Sequence, residues 1–422
     1  MKKQRRSFIK TAGLAGLGIS GGVLSSGNLA FSSAVNHPVM NKSDLSIIGP
    51  YGPWANGLIS GELPSLSFRN KRFTDTDAWR KEALTVTREH LGIPDLGQLP
   101  KVTVHKSFTN DGLKFEEISW QLPYGNTTKA LVIKPAETTG KLPAILAFHD
   151  HGGNKYFGLR KITNTGNGQH PLMVEHQEHY YEGKAWANEI AKRGYVVMVS
   201  DAFTFASRRV LMEEVPENLR NGLSDDHPEQ EKNITAYNDW AGEHEHIMAK
   251  SLFCGGTTWP AVFFAEDQVA LDILLSRKDV DADNVGCGGL SGGGLRTVMM
   301  GGLDHRVKCA VCVGFMTTWT DFILNKSYTH TWMTYVPRLP EALDFPEILG
   351  LRVPLPTLVL NDSEDQLYTL PEMQKADKIL EEVFDKAGAK EKYKASFYPG
   401  PHKFDKAMQK EAFDWWDKWL KK

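Results

Sequence analysis

The chain has 422 residues, 41% hydrophobic and 24% charged, an ordinary globular composition with room for one large domain or two smaller ones. Its net charge of −2, which becomes −7 without the five basic residues of positions 1–34, leaves a mildly acidic surface that argues against nucleic acid or an anionic membrane as partner. Beyond the N-terminus no segment reaches the ~18 apolar residues that a membrane span needs.

Residues 1–34 read as an export signal. Gln4-Arg5-Arg6-Ser7-Phe8-Ile9-Lys10 resembles a twin-arginine signal, a Gly/Ala-rich stretch runs on to Ala30, and Ser32-Ser33-Ala34 offers a small-residue cleavage site. The resemblance implies a periplasmic or secreted protein that is translocated already folded. Removing the five basic residues of the leader, which holds no acids, takes the net charge from −2 to −7. Residues 35–100 form an extension expected to pack on the core, Pro/Gly-rich at first and helical over 76–90.

The domain proper is expected over 101–422. Residues 102–107, 113–122 and 129–134 alternate apolar and polar around turns at Asn110-Asp111-Gly112 and Tyr124-Gly125-Asn126, the pattern of an antiparallel meander. Short apolar runs then alternate with helical stretches. Strands are expected at 144–148, 195–200, 285–288, 307–315, 356–360 and 393–398. Helices are expected at 181–192, 259–276, after Ser291, and at 372–386 and 406–420. Fully apolar strands separated by helices indicate a mainly parallel sheet covered on both faces. Insertions near 204–260 and 317–353 are too long for plain connections and are expected at the carboxyl edge as lids or pocket walls. Cys287, Cys309 and Cys312 read as buried free thiols on strands; Cys309 and Cys312, three apart, point to opposite faces.

Gly289-Leu290-Ser291-Gly292-Gly293 has the G-x-S-x-G form of a nucleophile elbow, between an apolar run and a helix-compatible one. A sharp strand-to-helix turn puts Ser291 at its apex, and glycines two residues to either side avoid collision. A serine needs a base, and the base an acid to hold its tautomer. His305, His330 and His402 follow Ser291; His402, after the last strand, is placed to reach back over the sheet edge. The acid is sought after the strand 356–360, where Asp365 is favoured over Asp362 and Glu364. A second oxyanion donor, beside Gly292, is expected from Gly152 or Gly153 in His149-Asp150-His151-Gly152-Gly153.

These elements, in the order Ser, Asp, His, resemble the α/β-hydrolase superfamily over 102–422. More narrowly, His149-Asp150-His151-Gly152-Gly153, Ser291-Gly292-Gly293 and Leu303-Asp304-His305-Arg306-Val307 look like the dienelactone-hydrolase-related and acetyl-xylan-esterase-like secreted bacterial hydrolases. The resemblance implies the α/β-hydrolase fold and a serine esterase with Ser291 as nucleophile, Asp365 as acid and His402 as base. No cofactor or metal is implied. The substrate would be a small-molecule or carbohydrate ester, such as an O-acetyl group. Gly293-Gly294-Leu295 departs from the larger, often aromatic residue expected just after the serine.

His151, Trp259, Trp319 and Trp332 are candidates for substrate contact, since a sugar ring stacks well on an indole. The pairs His176/His179 and His244/His246 read as solvated or hydrogen-bonded rather than as metal ligands, because a helical zinc pair wants i, i+4 spacing and further ligands. Three other readings compete: a uronic acid methyl-ester hydrolase, which would want a basic residue in the pocket; a peptidase of the prolyl-oligopeptidase type, whose β-propeller has no room before residue 102; and a non-catalytic carbohydrate-binding relative.

Overall fold

The computed structural model describes residues 45–59, 61–166, 168–226 and 229–421; the expected signal at 1–34 lies outside them. Among the described residues nine strands form one sheet in the order β1-β2-β3-β5-β4-β6-β7-β8-β9. They are β1 Thr103–Asn110, β2 Leu113–Trp120, β3 Thr128–Pro135, β4 Leu142–Phe148, β5 Val196–Ser200, β6 Val280–Leu290, β7 Cys309–Val313, β8 Thr357–Asp362 and β9 Tyr393–Tyr398. The pairs β1/β2, β2/β3 and β3/β5 are antiparallel. From β5 through β4 to β9 every pair is parallel. The β1–β2 turn works because Asp111 and Gly112 both take positive φ, 49° and 72°, as a two-residue hairpin of this hand requires.

The helices are α1 Tyr51–Gly57, α2 Thr76–Leu91, α3 Pro171–Tyr181, α4 Trp186–Lys192, α5 Glu231–Cys254, α6 Trp259–Leu275, α7 Gly292–Leu303, the short α8 Trp319–Asp321, α9 Leu339–Ala342 and α10 Phe345–Gly350, then α11 Leu370–Lys386 and α12 Lys406–Leu420. The period-2 pleat divides the strand side chains between two apolar layers. Ala144, Leu146, Phe148, Cys287 and Cys312 join α2, α6, α7, α10 and α11. Ile145, Ala147, Leu290, Cys309 and Val311 join α4 and α12. Cys309 and Cys312 therefore lie on opposite faces, both free. Trp415 and Trp416 of α12 are buried against the sheet, and a side chain at Gly288 would meet the Trp416 ring at 2.6 Å.

The helix expected over 181–192 starts later, as α4 at Trp186–Lys192, and Tyr181 instead ends α3, an element not marked out from the sequence. Glu182 and Gly183 take left-handed φ of 52° and 74° and end α3 before α4 begins. The buried face of α3 includes His176, Gln177 and Tyr181, so apolar periodicity does not reveal it. In the insertion near 204–260, 3₁₀ turns lead into the 24-residue α5; that near 317–353 holds α8 to α10 and further single turns.

Candidate active site

Ser291 sits between the end of β6 and the first turn of α7 with φ 58° and ψ −118°, a strained conformation for a residue with a side chain. The glycines around it are forced by packing. A Cβ at Gly289 would press on the Phe148 carbonyl and lie 3.0 Å from the Gly293 Cα. One at Gly293 would lie 2.5 Å from the same carbonyl, and one at Gly294 2.6 Å from the Val313 carbonyl. That last contact explains why no larger residue follows the serine. The N-terminus of α7 leaves the Gly292 N–H without an intrahelical acceptor, at the positive end of the helix dipole.

His402 and Asp365 meet across the carboxyl ends of β8 and β9. His402 Nδ1 and Asp365 Oδ2 are 2.6 Å apart, and Asp365 Oδ1 accepts the Leu367 N–H at 2.9 Å. His402 Nε2 is buried with no hydrogen-bond partner among the described residues. The two loops are clamped together. Glu364 N–H donates to the Gly400 carbonyl at 3.2 Å, Ser363 Oγ to the Tyr398 carbonyl at 3.1 Å, and Lys403 N–H to Asp362 Oδ2 at 3.1 Å. Of the competing acids, Glu364 is thus turned to Gly400, and Asp362 holds the backbone behind His402. Burial pushes the Asp362 carboxyl up to about 7. Asp362, Asp365 and His402 bring one ligating atom each within 4.8 Å of one another, but the bond between His402 and Asp365 already engages two of them.

The loop after β4 closes the other side. Gly152 takes φ 51°, and a Cβ there would strike Asp150 Oδ2 and lie 2.5 Å from His176 Cε1. The donor expected at Gly153 is already engaged, because its N–H donates to His151 Nδ1 at 3.1 Å. The backbone nitrogen nearest the elbow is instead that of His151, 3.0 Å from where a Gly292 Cβ would stand. No sequence signal separates these three amides; the difference is one of peptide orientation. Since His151 Nδ1 accepts, Nε2 carries the proton and donates to Glu245 Oε1 of α5 at 3.1 Å. Burial lowers the pKa of His151, which keeps it neutral at pH 7. Glu245 also binds Lys155 Nζ at 2.7 Å, a partnership that the sequence did not suggest.

Asp150, His151, Gly152, Gly153, Ser291, Gly292 and His402 line one cleft of about 320 Å³. Tyr180, Leu295, Phe315, His330, Met333 and Leu367 complete much of its wall. None of its described lining residues is a lysine or arginine. His330 Nε2–H donates to the Leu367 carbonyl, 2.9 Å away; burial brings its pKa down to about 4. Two of the tryptophans expected to contact substrate do not reach the cleft. Trp259, 1% exposed, packs on Phe203 and beneath Lys155. Trp319 is buried against Phe322 and Phe345 and donates to the Leu343 carbonyl at 3.1 Å. Trp332 is exposed between the lining residues Thr331 and Met333, but its ring is not part of the wall. His176 of the discounted pair is buried and bonded through Nε2 to Asp150 Oδ1 at 3.0 Å.

The mostly parallel sheet, with helices on both faces and an elbow at the end of β6, defines an α/β-hydrolase fold. A model of the prolyl oligopeptidase family matches residues 258–347, the stretch that carries the elbow. The chain is 26% identical over 294 residues to the putative hydrolase YtaP of Bacillus subtilis (strain 168), covering 69% of this chain and 83% of that one. Among solved structures, a putative acetyl xylan esterase from Bacteroides fragilis superposes with a TM-score of 0.59 at 16% identity, covering 82% of this chain and 81% of the other. A glucuronoyl esterase from Solibacter usitatus gives 0.57 at 16% identity, covering 85% and 97%. At these identities the likeness is one of fold. Among the described residues no helix is long and apolar enough to cross a membrane.

Proposed function

We propose that the protein is a serine carboxylic-ester hydrolase acting on a carbohydrate ester, such as an O-acetyl group on a xylan-like polymer. One observation carries this reading: His402 is bonded through Nδ1 to buried Asp365, its Nε2 has no partner among the described residues, and His402 and Ser291 line the same cleft. Asp365 holds the tautomer in which Nε2 is free to take the Ser291 proton. Ser291 Oγ then attacks the ester carbonyl, and the N–H groups of Gly292, His151 and Gly152 receive the oxyanion. His402 returns the proton to the leaving alcohol, and water, activated by the same base, hydrolyses the acyl-enzyme. The chemistry needs no cofactor. The twin-arginine resemblance at residues 4–10 adds a periplasmic or secreted location.

The largely apolar wall, which holds the Asp150 carboxylate and no lysine or arginine among its described lining residues, favours a small uncharged acyl group over a uronic ester, for which a basic side chain would be expected. The match to the prolyl oligopeptidase family falls on the elbow region, which peptidases and esterases of this fold share. The test is p-nitrophenyl acetate turnover by the wild type and by Ser291→Ala, followed by acetylated and methyl-esterified polysaccharides with acetate and methanol measured separately. Turnover that disappears in Ser291→Ala, with acetate released, is the expected result. No turnover by the wild type, or an undiminished rate in the variant, overturns the reading.

A further inference from the structure

Lys161 is fully buried at the end of a single 3₁₀ turn, Leu159–Lys161. A buried ammonium needs a reason, because its desolvation is costly unless it is well paired. Here Nζ donates to two successive backbone carbonyls, Asp150 at 2.8 Å and His151 at 2.7 Å. It also lies 3.9 Å from Asp150 Oδ2 and 4.8 Å from the centre of the Phe205 ring.

In a trans peptide the C=O and N–H of one unit point in opposite directions. With the Asp150 carbonyl drawn to Lys161, the His151 N–H faces away from it, and the His151 nitrogen is the one beside Gly292. With the His151 carbonyl drawn to the same ammonium, the Gly152 N–H is turned the same way. We propose that Lys161 is a positioning residue that aims the backbone N–H groups of His151 and Gly152 at the oxyanion formed over Ser291. This rests on the esterase reading above. Lys161 touches no reacting atom; it acts through the two peptide planes.

Among the described residues each carbonyl has one other hydrogen-bond partner. His149 Nδ1 meets the Asp150 carbonyl at 3.0 Å, and Asn154 N–H donates to the His151 carbonyl at 3.1 Å. Among the described residues, Lys161 alone donates to both carbonyls and so ties the two planes to each other. Without it the loop survives and its donors lose aim, so the loss should fall below the roughly 10²–10³-fold of deleting a donor outright.

Burial lowers the pKa of Lys161 to about 8, against the pull of Asp150 and Asp201 and with a push from Lys155. The other groups around it are His149 and His151, both kept neutral by burial, and His176 and Tyr181 of α3, which hold the far oxygen of Asp150. The charged, carbonyl-binding form is therefore lost as the pH rises through about 8.

The experiment compares wild type, Lys161→Met, Lys161→Gln and Lys161→Arg on p-nitrophenyl acetate, with kcat expressed per Ser291 titrated by the acylation burst. Lys161→Met should lower kcat by about 10–100-fold with KM changed by less than about threefold. Lys161→Gln, which keeps a donor, should recover part of the loss. The wild-type alkaline limb near pH 8 should move upward in Lys161→Arg. If Lys161→Met does not fold, Lys161→Gln and Lys161→Arg decide the question by the same kcat and pH readouts. Wild-type kcat per titrated site in the folded variants, with an unmoved alkaline limb, overturns the proposal and leaves the esterase reading standing. Absence of turnover by the wild type overturns both.

Discussion

At Ser291 a non-glycine residue is held at φ 58° by glycines that have no room for a side chain. A similar constraint acts at the base. Gly314, just past β7, has φ 58°, and a Cβ there would lie 2.8 Å from His402 Cε1. Gly314→Ala should therefore displace the imidazole and cost stability together. The expected fall in kcat/KM is about 10–100-fold, the scale of an ångström of misplacement, with a loss of about 1 kcal/mol or more for alanine at positive φ. Hydrolysis kinetics and urea melts measure the two separately; an unchanged kcat/KM would show that His402 has slack. Asp362 gives a pH prediction. Its carboxyl titrates near pH 4 when unfolded and near 7 when buried, so between those values the folded state binds more protons. Stability attributable to Asp362 must then fall as the pH rises from about 4 to about 7 and stay level above. Asp362→Asn, whose amide oxygen can still accept the Lys403 N–H, should flatten that decline in urea midpoints measured across the window. A decline of undiminished slope would assign it to other groups.

Among the elements, α5 stands out because one residue of an insertion reaches the oxyanion loop. Glu245 accepts from His151 and binds Lys155, which also donates to the Ala241 carbonyl at 3.1 Å. Burial alone would raise its carboxyl, but the His151 hydrogen bond and the Lys155 charge outweigh this and bring it to about 2. Glu245→Ala should leave Lys155 charged and without its counter-ion in the interior, at a cost of about 3–5 kcal/mol, and let His151 rotate. Adding Lys155→Met should return part of the stability without returning kcat, since His151 would still lack its acceptor. A double variant that regains wild-type kcat would remove α5 from the catalytic account. The strand and helix pattern that orders Ser291, Asp365 and His402 was legible, because each follows an apolar run at a strand end. The α5 contact was not, since Glu245 lies in a polar helix with nothing local to mark it. The same holds for Trp259 and Trp319: an indole in an insertion reads alike whether it walls a cleft or fills a core. The choice among the amides of His151, Gly152 and Gly153 lay beyond sequence too, because it turns on which way each peptide plane faces.

On the scale of the whole molecule, substrate choice follows from charge. The cleft has an oxyanion site made of backbone N–H groups, three histidines in its wall and no lysine or arginine among its described lining residues. His151 and His330 are kept uncharged by burial, and the chain as a whole carries −2. An acyl group bearing its own carboxylate would have to be desolvated there without a counter-ion, whereas an acetyl group loses nothing of the kind. Two cations beside the oxyanion loop, Lys155 and Lys161, are committed to Glu245 and to the backbone carbonyls of Asp150 and His151. The p-nitrophenyl ester of succinic acid, anionic at its far end, should therefore be hydrolysed with a kcat/KM about 100-fold below that of p-nitrophenyl acetate, equivalent to about 2.7 kcal/mol. Raising the ionic strength should narrow the gap only slightly, because a penalty of burial is not screened as a surface repulsion is. Equal rates for the two esters would mean that a basic side chain enters the cleft when substrate binds, and would return the uronic ester reading to first place.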